Sequence, residues 1–259
     1  MSDVKRALEG PVATLTLDRP DHRNALDPNM LASLAAAIDE VSGNDAVRVV
    51  VITGAGSAFS AGADLEWMRA SRGLTAEQNR EDAIDMAAAF ETVDRCPKAV
   101  IARVNGAAIG GGAGLVACTD VAIAVEGASF GFAEVRLGVL PAVVSPYVLR
   151  AIGPGRAREL FTTGRTFEAA DAATYGLVHR VVATQDLDTA IDEVAEAFLA
   201  SGPEAVAANK RLVREATASL VLPDLAERIA EARTSAEGQE GVAAFLEKRT
   251  PTWLSSSDS

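Results

Sequence analysis

The chain has 259 residues, 49% of them hydrophobic and 23% charged. That length and composition support one large core, or a core plus a smaller lobe. Acidic residues outnumber basic ones, 36 to 24, for a net charge of −12. A surface of that sign repels phosphate backbones and anionic membranes, so nucleic acid and membrane are not expected partners. A small anionic ligand needs only a local basic patch and stays open. The two cysteines, Cys96 and Cys118, lack metal or redox spacing and read as buried thiols. The N-terminal MSDVKRALEG has no apolar core of a signal peptide, and no apolar run is long enough to span a bilayer. The expected compartment is the cytoplasm.

In chain order, VATLTL (Val12–Leu17) alternates and predicts a strand. A polar loop follows at Arg19–Asn24. Asp27-Pro28 predicts a helix start, with Asp27 as cap and Pro28 at the first helical position; the helix runs through LASLAAAIDEV to about Gly43. VRVVVITG is a continuously apolar strand of the buried parallel type, ending in the glycine-rich GAGSAFSAGADL. An acidic helix is expected over roughly Ala76–Arg95. KAVIARV is a second buried strand and ends in NGAAIGGGAG, within which a helix should begin. VAIAVE is a third. Short strands and helices then alternate to about Val182. Beyond Asp186 the pattern is helical only: AIDEVAEAFLA, PEAVAANKRLVREA and LPDLAERIAEARTS, before a tail, SSSDS, that reads as disordered. The prediction is an α/β core over 1–200 and a helical region over 201–259.

Two glycine-rich loops after two buried strands are where an α/β fold places ligands. They are Phe59–Leu65 and Asn105–Gly112. Neither is followed by GK[ST], and GAGSAFSAG fits GxGxxG poorly. Each alone is explained by tight turns and close packing; together they suggest a pair of backbone donors, because glycine leaves N–H groups unshielded. Glu134, in SFGFAEVRLG, stands among apolar and small residues that would raise its pKa if buried. His22 and His179 have no Asp or Ser partner nearby in sequence and read as solvated or structural.

The pieces FSAGADL (Phe59–Leu65), VNGAAIGGGAGL (Val104–Leu115), FGFAEVRLGVLP (Phe130–Pro141) and GVAAFLEKR (Gly241–Arg249) stand in the order and spacing of the enoyl-CoA hydratase/isomerase (crotonase) family, which the chain resembles. RPDHRNALD (Arg19–Asp27) and YGLVHRVV (Tyr175–Val182) resemble further family segments. The resemblance covers nearly the whole chain. It implies a spiral of ββα units with a C-terminal helical trimerisation region, in a homotrimer or dimer of trimers. It also implies an acyl-CoA thioester substrate, with coenzyme A part of the substrate and no separate cofactor or metal.

Carried over residue by residue, it makes the N–H groups of Ala63 and Gly111 an oxyanion hole and Glu134 the acid/base. Arg23 would meet CoA phosphates. Ala25 and Leu26 would line the pantetheine path. Ala61, Asp64 and Leu65 would hold the adenine through the backbone, and Phe245 and Lys248 would reach adenine and a phosphate, from the same or a neighbouring subunit. Gly110, Gly114 and Ala133 complete the expected substrate-binding set.

One departure is informative. Two-glutamate hydratases carry a glutamate where this chain has Gly114, and LGVLPAVVSPYV replaces a glycine-rich loop. That version resembles bacterial methylglutaconyl-CoA hydratase-like proteins. The implied activity is hydration, or the reverse dehydration, of a 2-enoyl-CoA, with a branched acid such as 3-methylglutaconyl-CoA as the implied substrate. A Δ3,Δ2-enoyl-CoA isomerase using one glutamate and a non-catalytic CoA-thioester-binding protein are the alternatives. On a helix starting at Gly111, Gly114 faces the same side one turn further in. It is expected either to leave room for a bulky acyl group or to let two elements pack closely.

Overall fold

A computed structural model describes residues 3–217, 230, 231 and 233–251. The hairpin β1 (Val4–Glu9) and β2 (Val12–Leu17) opens the chain, antiparallel from Val4↔Leu17 to Glu9↔Val12, turning at Gly10 with φ +56°. β1 escapes the sequence pattern because only its Val4 is buried, so it shows no alternation. After α1 (Pro28–Ser42) comes β3 (Val49–Gly54), buried along its whole length. β5 (Ala99–Val104) and β7 (Val121–Val125) are nearly as apolar, and β10 (Arg180–Val182) completes a six-stranded sheet of order β1-β2-β3-β5-β7-β10. From β2 to β10 its pairings are parallel, which is why these strands read as continuous apolar runs.

Each central strand is followed by a short one in a second sheet. β4 (Ala58–Ser60), β6 (Ala107–Ile109), β8 (Ser129–Gly131) and β9 (Thr166–Glu168) pair in that order. Strands of three residues carry no readable period, so the glycine-rich segments read as loops although they are partly strand. The helices then follow: α2 (Leu65–Ser71) and α3 (Ala76–Arg95) after β4, α4 (Gly111–Ala117) after β6, and α5 (Ser145–Thr163) after β8. Three ββα turns therefore stack their short strands into one sheet, and that sheet's ends bring the two glycine-rich segments together.

α6 (Ala169–Tyr175) packs on β8, β9 and β10, α7 (Leu187–Leu199) on the central strands β3, β5 and β7, and α8 (Pro203–Thr217) follows. Most of the helix expected at LPDLAERIAEARTS, and the tail SSSDS, lie outside the described residues. α9 (Ala236–Leu246) returns to the core. Cys96 and Cys118 are buried and unbridged. His179 is structural: its Nδ1 accepts from the Ala122 N–H at 3.0 Å. Among the described residues no helix is long and apolar enough to cross a membrane.

Candidate active site

A cleft of about 1420 Å³ runs past both glycine-rich segments. Of the expected site residues, Arg23, Ala25, Leu26, Ala61, Ala63, Asp64, Leu65, Gly110, Gly111, Ala133, Glu134 and Phe245 line it. Gly114 and Lys248 do not.

The first wall is a loop clamped from below. Leu26 and Ala63 form a parallel bridge: the Leu26 N–H donates to Gly62 O at 2.7 Å and the Asp64 N–H to Leu26 O at 2.9 Å. The Ala61 N–H donates to Arg23 O at 2.9 Å. Ala61 and Asp64 were expected to hold adenine through the backbone; their N–H groups are engaged inside the chain. Ala63, exposed between them, keeps an N–H with no acceptor among the described residues.

Asp64 has another task. Its buried carboxylate caps α2, accepting from the N–H groups of Glu66 at 2.8 Å and Trp67 at 3.2 Å, and it takes a hydrogen bond from Arg19 at 3.1 Å. Those bonds hold its pKa below the usual carboxylate value against the opposing, and largest, effect of burial. Arg19 also reaches Asp27 at 2.7 Å, tying the cap of α1 to the cap of α2. Buried Asn24 donates to Ala55 O and Ala58 O, and Asn105 donates to Gly54 O and Gly56 O. Arg19, Asn24 and Asn105 escaped the sequence reading as positioning residues because the partners that tie them to the site, Asp64, Ala55 and Ala58, and Gly54 and Gly56, lie tens of residues away.

The second wall is the start of α4. Gly110 has φ +53° and ψ −119°, a conformation suited to glycine. The Gly111 N–H heads α4 and has no acceptor among the described residues, in the direction where a helix start favours an anion. The two walls touch. A Cβ on Gly62 would lie 2.7 Å from Ile109 O, and one on Gly110 would lie 4.0 Å from the Gly62 Cα.

The same Gly110 Cβ position is 3.2 Å from Glu134 Oε1, which brings the carboxyl to the junction of the two walls. Glu134 opens a 3-10 turn (Glu134–Leu137) after β8, whose Gly131 carbonyl accepts from the Gly110 N–H at 2.8 Å. α9 braces the turn from outside so closely that a Cβ on Gly138 or Gly241 would overlap the opposing backbone. Glu134 Oε2 is buried without a hydrogen-bond partner among the described residues. Desolvation pushes its pKa up to about 7, against a smaller lowering by a backbone hydrogen bond. A carboxyl that titrates near neutrality beside two unengaged N–H donors can both take and return a proton.

Gly114 requires a correction. It is buried in α4, and a Cβ there would stand 2.5 Å from the Val144 Cβ. The space expected for a bulkier acyl group is filled by Val144, which itself lines the cleft; the glycine allows close packing of α4 on the segment before α5. Gly114→Ala is expected to destabilise the fold by about 1–3 kcal/mol through overpacking. Adding Val144→Ala should recover most of that loss in a double-mutant cycle of denaturant midpoints. A neutral Gly114→Ala would contradict the packing.

Lys248 is exposed, has φ +53°, and does not line the cleft of its own chain.

The enoyl-CoA hydratase/isomerase family model matches residues 8–256. The chain belongs to this family. An enoyl-CoA hydratase from Shewanella pealeana is 40% identical, with 97% of this chain and 96% of that one covered and a TM-score of 0.81. An enoyl-CoA hydratase from Mycobacterium avium is 35% identical over 98% of this chain and 99% of its own, with a TM-score of 0.86. The crotonyl-CoA hydratase of Syntrophomonas wolfei is 34% identical over 252 residues, 95% of this chain and 96% of its own. The fold is therefore the crotonase fold, and the protein is an enzyme of the enoyl-CoA hydratase/isomerase family acting on CoA thioesters.

Proposed function

We propose that the enzyme hydrates a 2-enoyl-CoA, and dehydrates the 3-hydroxyacyl-CoA, with Glu134 as its single acid/base. The observation that carries this is the buried, unpartnered Glu134 carboxyl at the junction of the two glycine-rich walls. The Glu134 carboxylate takes a proton from water as the water oxygen bonds to C3. The C2=C3 electron pair moves onto the thioester oxygen, which the N–H groups of Ala63 and Gly111 hold as an enolate. C2 then takes the proton from Glu134, and the carboxylate is restored. Each N–H contributes on the order of 3 kcal/mol to the transition state. Coenzyme A enters as part of the substrate, so the reaction calls for no separate cofactor.

A branched acid such as 3-methylglutaconyl-CoA is the substrate proposed from the EVRLGVLPAVVSPYV resemblance; the room once expected at Gly114 no longer supports it. One carboxylate also suffices for Δ3,Δ2 isomerisation, by taking a proton at C2 and returning it at C4. Product analysis with crotonyl-, 3-enoyl- and 3-methylglutaconyl-CoA separates the readings. Hydrated product from the 2-enoyl substrates supports the proposal, and double-bond migration without hydration would overturn it.

The assembly proposed is a homotrimer or dimer of trimers, with Lys248 serving a neighbouring subunit's CoA. Arg23 is exposed at the cleft mouth and forms no ion pair among the described residues, which suits a CoA phosphate. Arg23→Ala should raise KM several-fold with little change in kcat, because phosphate binding is remote from the reacting carbons. The effect should shrink as salt rises. A loss confined to kcat in steady-state kinetics would contradict the role.

A further inference from the structure

Arg233 stands just before α9 and lines the catalytic cleft with its side chain only 15% exposed. Its Nη1 donates to Asp82 Oδ2 at 2.7 Å. The other Asp82 oxygen is taken by Trp67 Nε1 at 3.1 Å, and the guanidinium lies over the Trp67 ring at 5.0 Å. The partner of Nη2 is the Met86 sulfur, 4.0 Å away, and a thioether is a weak acceptor. Nε has no acceptor among the described residues. A guanidinium with five N–H donors is thus largely buried against a single oxygen among the described residues. Burial pulls its pKa down while Asp82 pulls it up. Leaving charged donors short of oxygen in such a place is costly. Bracing the C-terminal segment on α3 would need only the Asp82 pair.

The position is informative. Asp82, Met86 and Phe90 are four residues apart on α3, so they share one face of that helix. Phe90 Cζ lies 3.5 Å from the Cβ position of Gly111, and Phe90 and Met86 both line the cleft. The stripe therefore leads from the proposed oxyanion donor over two apolar side chains to Arg233. Phe90 to Met86 is about 6 Å of helix, and Phe90 to Asp82 about 12 Å. An acyl chain with its thioester at Gly111 meets apolar surface first and a cation at a short diacid's length. Another cleft arginine, Arg249, is already paired with Glu240 and Glu247.

We propose that Arg233 determines acyl specificity, and that the preferred substrates are CoA monothioesters of short dicarboxylic acids whose free carboxylate takes the Nε and Nη2 donors. Such a pair matches the planar fork of a guanidinium. The inference deepens the substrate reading above, since 3-methylglutaconyl-CoA is itself such a monothioester; it rests on the CoA-thioester reading of the cleft and on thioester placement at Gly111, and it does not require hydration to occur.

The test uses saturated thioesters, which cannot be hydrated. Dissociation constants of glutaryl-CoA and valeryl-CoA, equal in carbon number, are measured for the full-length wild type, Arg233→Met and Asp82→Asn. Wild type is expected to prefer glutaryl-CoA by about ten- to a hundred-fold, the worth of a charged hydrogen-bonded pair. In Arg233→Met the preference should vanish or reverse, since the apolar stripe alone favours a terminal methyl. In Asp82→Asn it should grow, because the competing carboxylate is gone. A purely bracing Arg233 would weaken both thioesters alike and leave their ratio unchanged. That result, or a wild-type ratio of one or less, overturns the proposal. Should Arg233→Met fail to fold, the wild-type ratio and its change in Asp82→Asn still decide. Inactivity toward every 2-enoyl-CoA, with the glutaryl preference intact, would refute hydration and leave the Arg233 assignment standing.

Discussion

Glu134→Gln should lower kcat by about 10²–10⁴-fold and at the same time stabilise the fold at alkaline pH. The loss follows from removing the only buried, unpartnered carboxyl oxygen among the described residues of the cleft while keeping its shape. The gain follows from linkage. The folded-state pKa of Glu134 is raised from 4.5 to about 7, so folding favours the protonated acid. Its contribution is fully present below the unfolded pKa and is lost as pH rises through 7. Integrated over that window, the wild type forfeits about 3 kcal/mol, at about 1.36 kcal/mol for each pH unit between 4.5 and 7. The glutamine of the variant carries no charge to desolvate. The variant's melting midpoint should exceed that of wild type at pH 8, and the difference should close toward pH 4.5. Wild-type kcat/KM should rise about tenfold per unit below pH 7 and level off above it, since hydration begins with the carboxylate and kcat/KM reports the free enzyme. A flat kcat/KM–pH profile, or a variant less stable than wild type at pH 8, would speak against the buried acid.

The second large effect is expected at a residue with no side chain. Gly62 has φ +87°, and a Cβ there would lie 2.7 Å from Ile109 O on the opposite wall. Gly62→Ala must strain its own backbone, by about 1–3 kcal/mol, and push the Ala63 loop away from the start of α4. The two proposed N–H donors then no longer converge on one oxygen. Misplacement by about 1 Å can cost 10²-fold, and loss of one oxyanion donor 10²–10³-fold. We therefore expect kcat to fall by about 10²–10³ while the affinity for free CoA, which has no acyl carbonyl, changes little. Steady-state kinetics with calorimetric CoA binding checks both. A folded variant with near-wild-type kcat would mean the wall spacing is not catalytic.

Much of the framework is readable from local chemistry. Asp27-Pro28 announces α1, and the structure shows Asp27 accepting from the Met30 N–H at 2.7 Å. The acidic run announces α3, whose start is fixed by a Thr75/Gln78 capping box. β3, β5 and β7 are apolar runs because both their faces are covered. Failures arise where the deciding partner is distant. β1 is an edge strand with one buried residue, and β4, β6 and β8 are too short to alternate. Gly114 suggested open space because Val144, thirty residues on, is invisible as its neighbour. Glu134 could be placed in its motif, but its orphaned oxygen needs the Gly110 wall to be seen. Arg233 carries no signal in sequence, since its meaning depends on Asp82, Trp67 and Met86 from two other helices.

The central claim is that Glu134 delivers a proton to C2 of an enolate held between the two glycine-rich walls. It is tested most directly by incubating a 2-enoyl-CoA with the enzyme in D2O and locating the label by NMR. The account predicts 3-hydroxyacyl-CoA carrying one deuterium at C2 in a single configuration, formed by wild type and at least 10²-fold more slowly by Glu134→Gln. A 3-enoyl-CoA product, with the double bond migrated and no hydroxyl at C3, or equal rates in the two proteins, would contradict it.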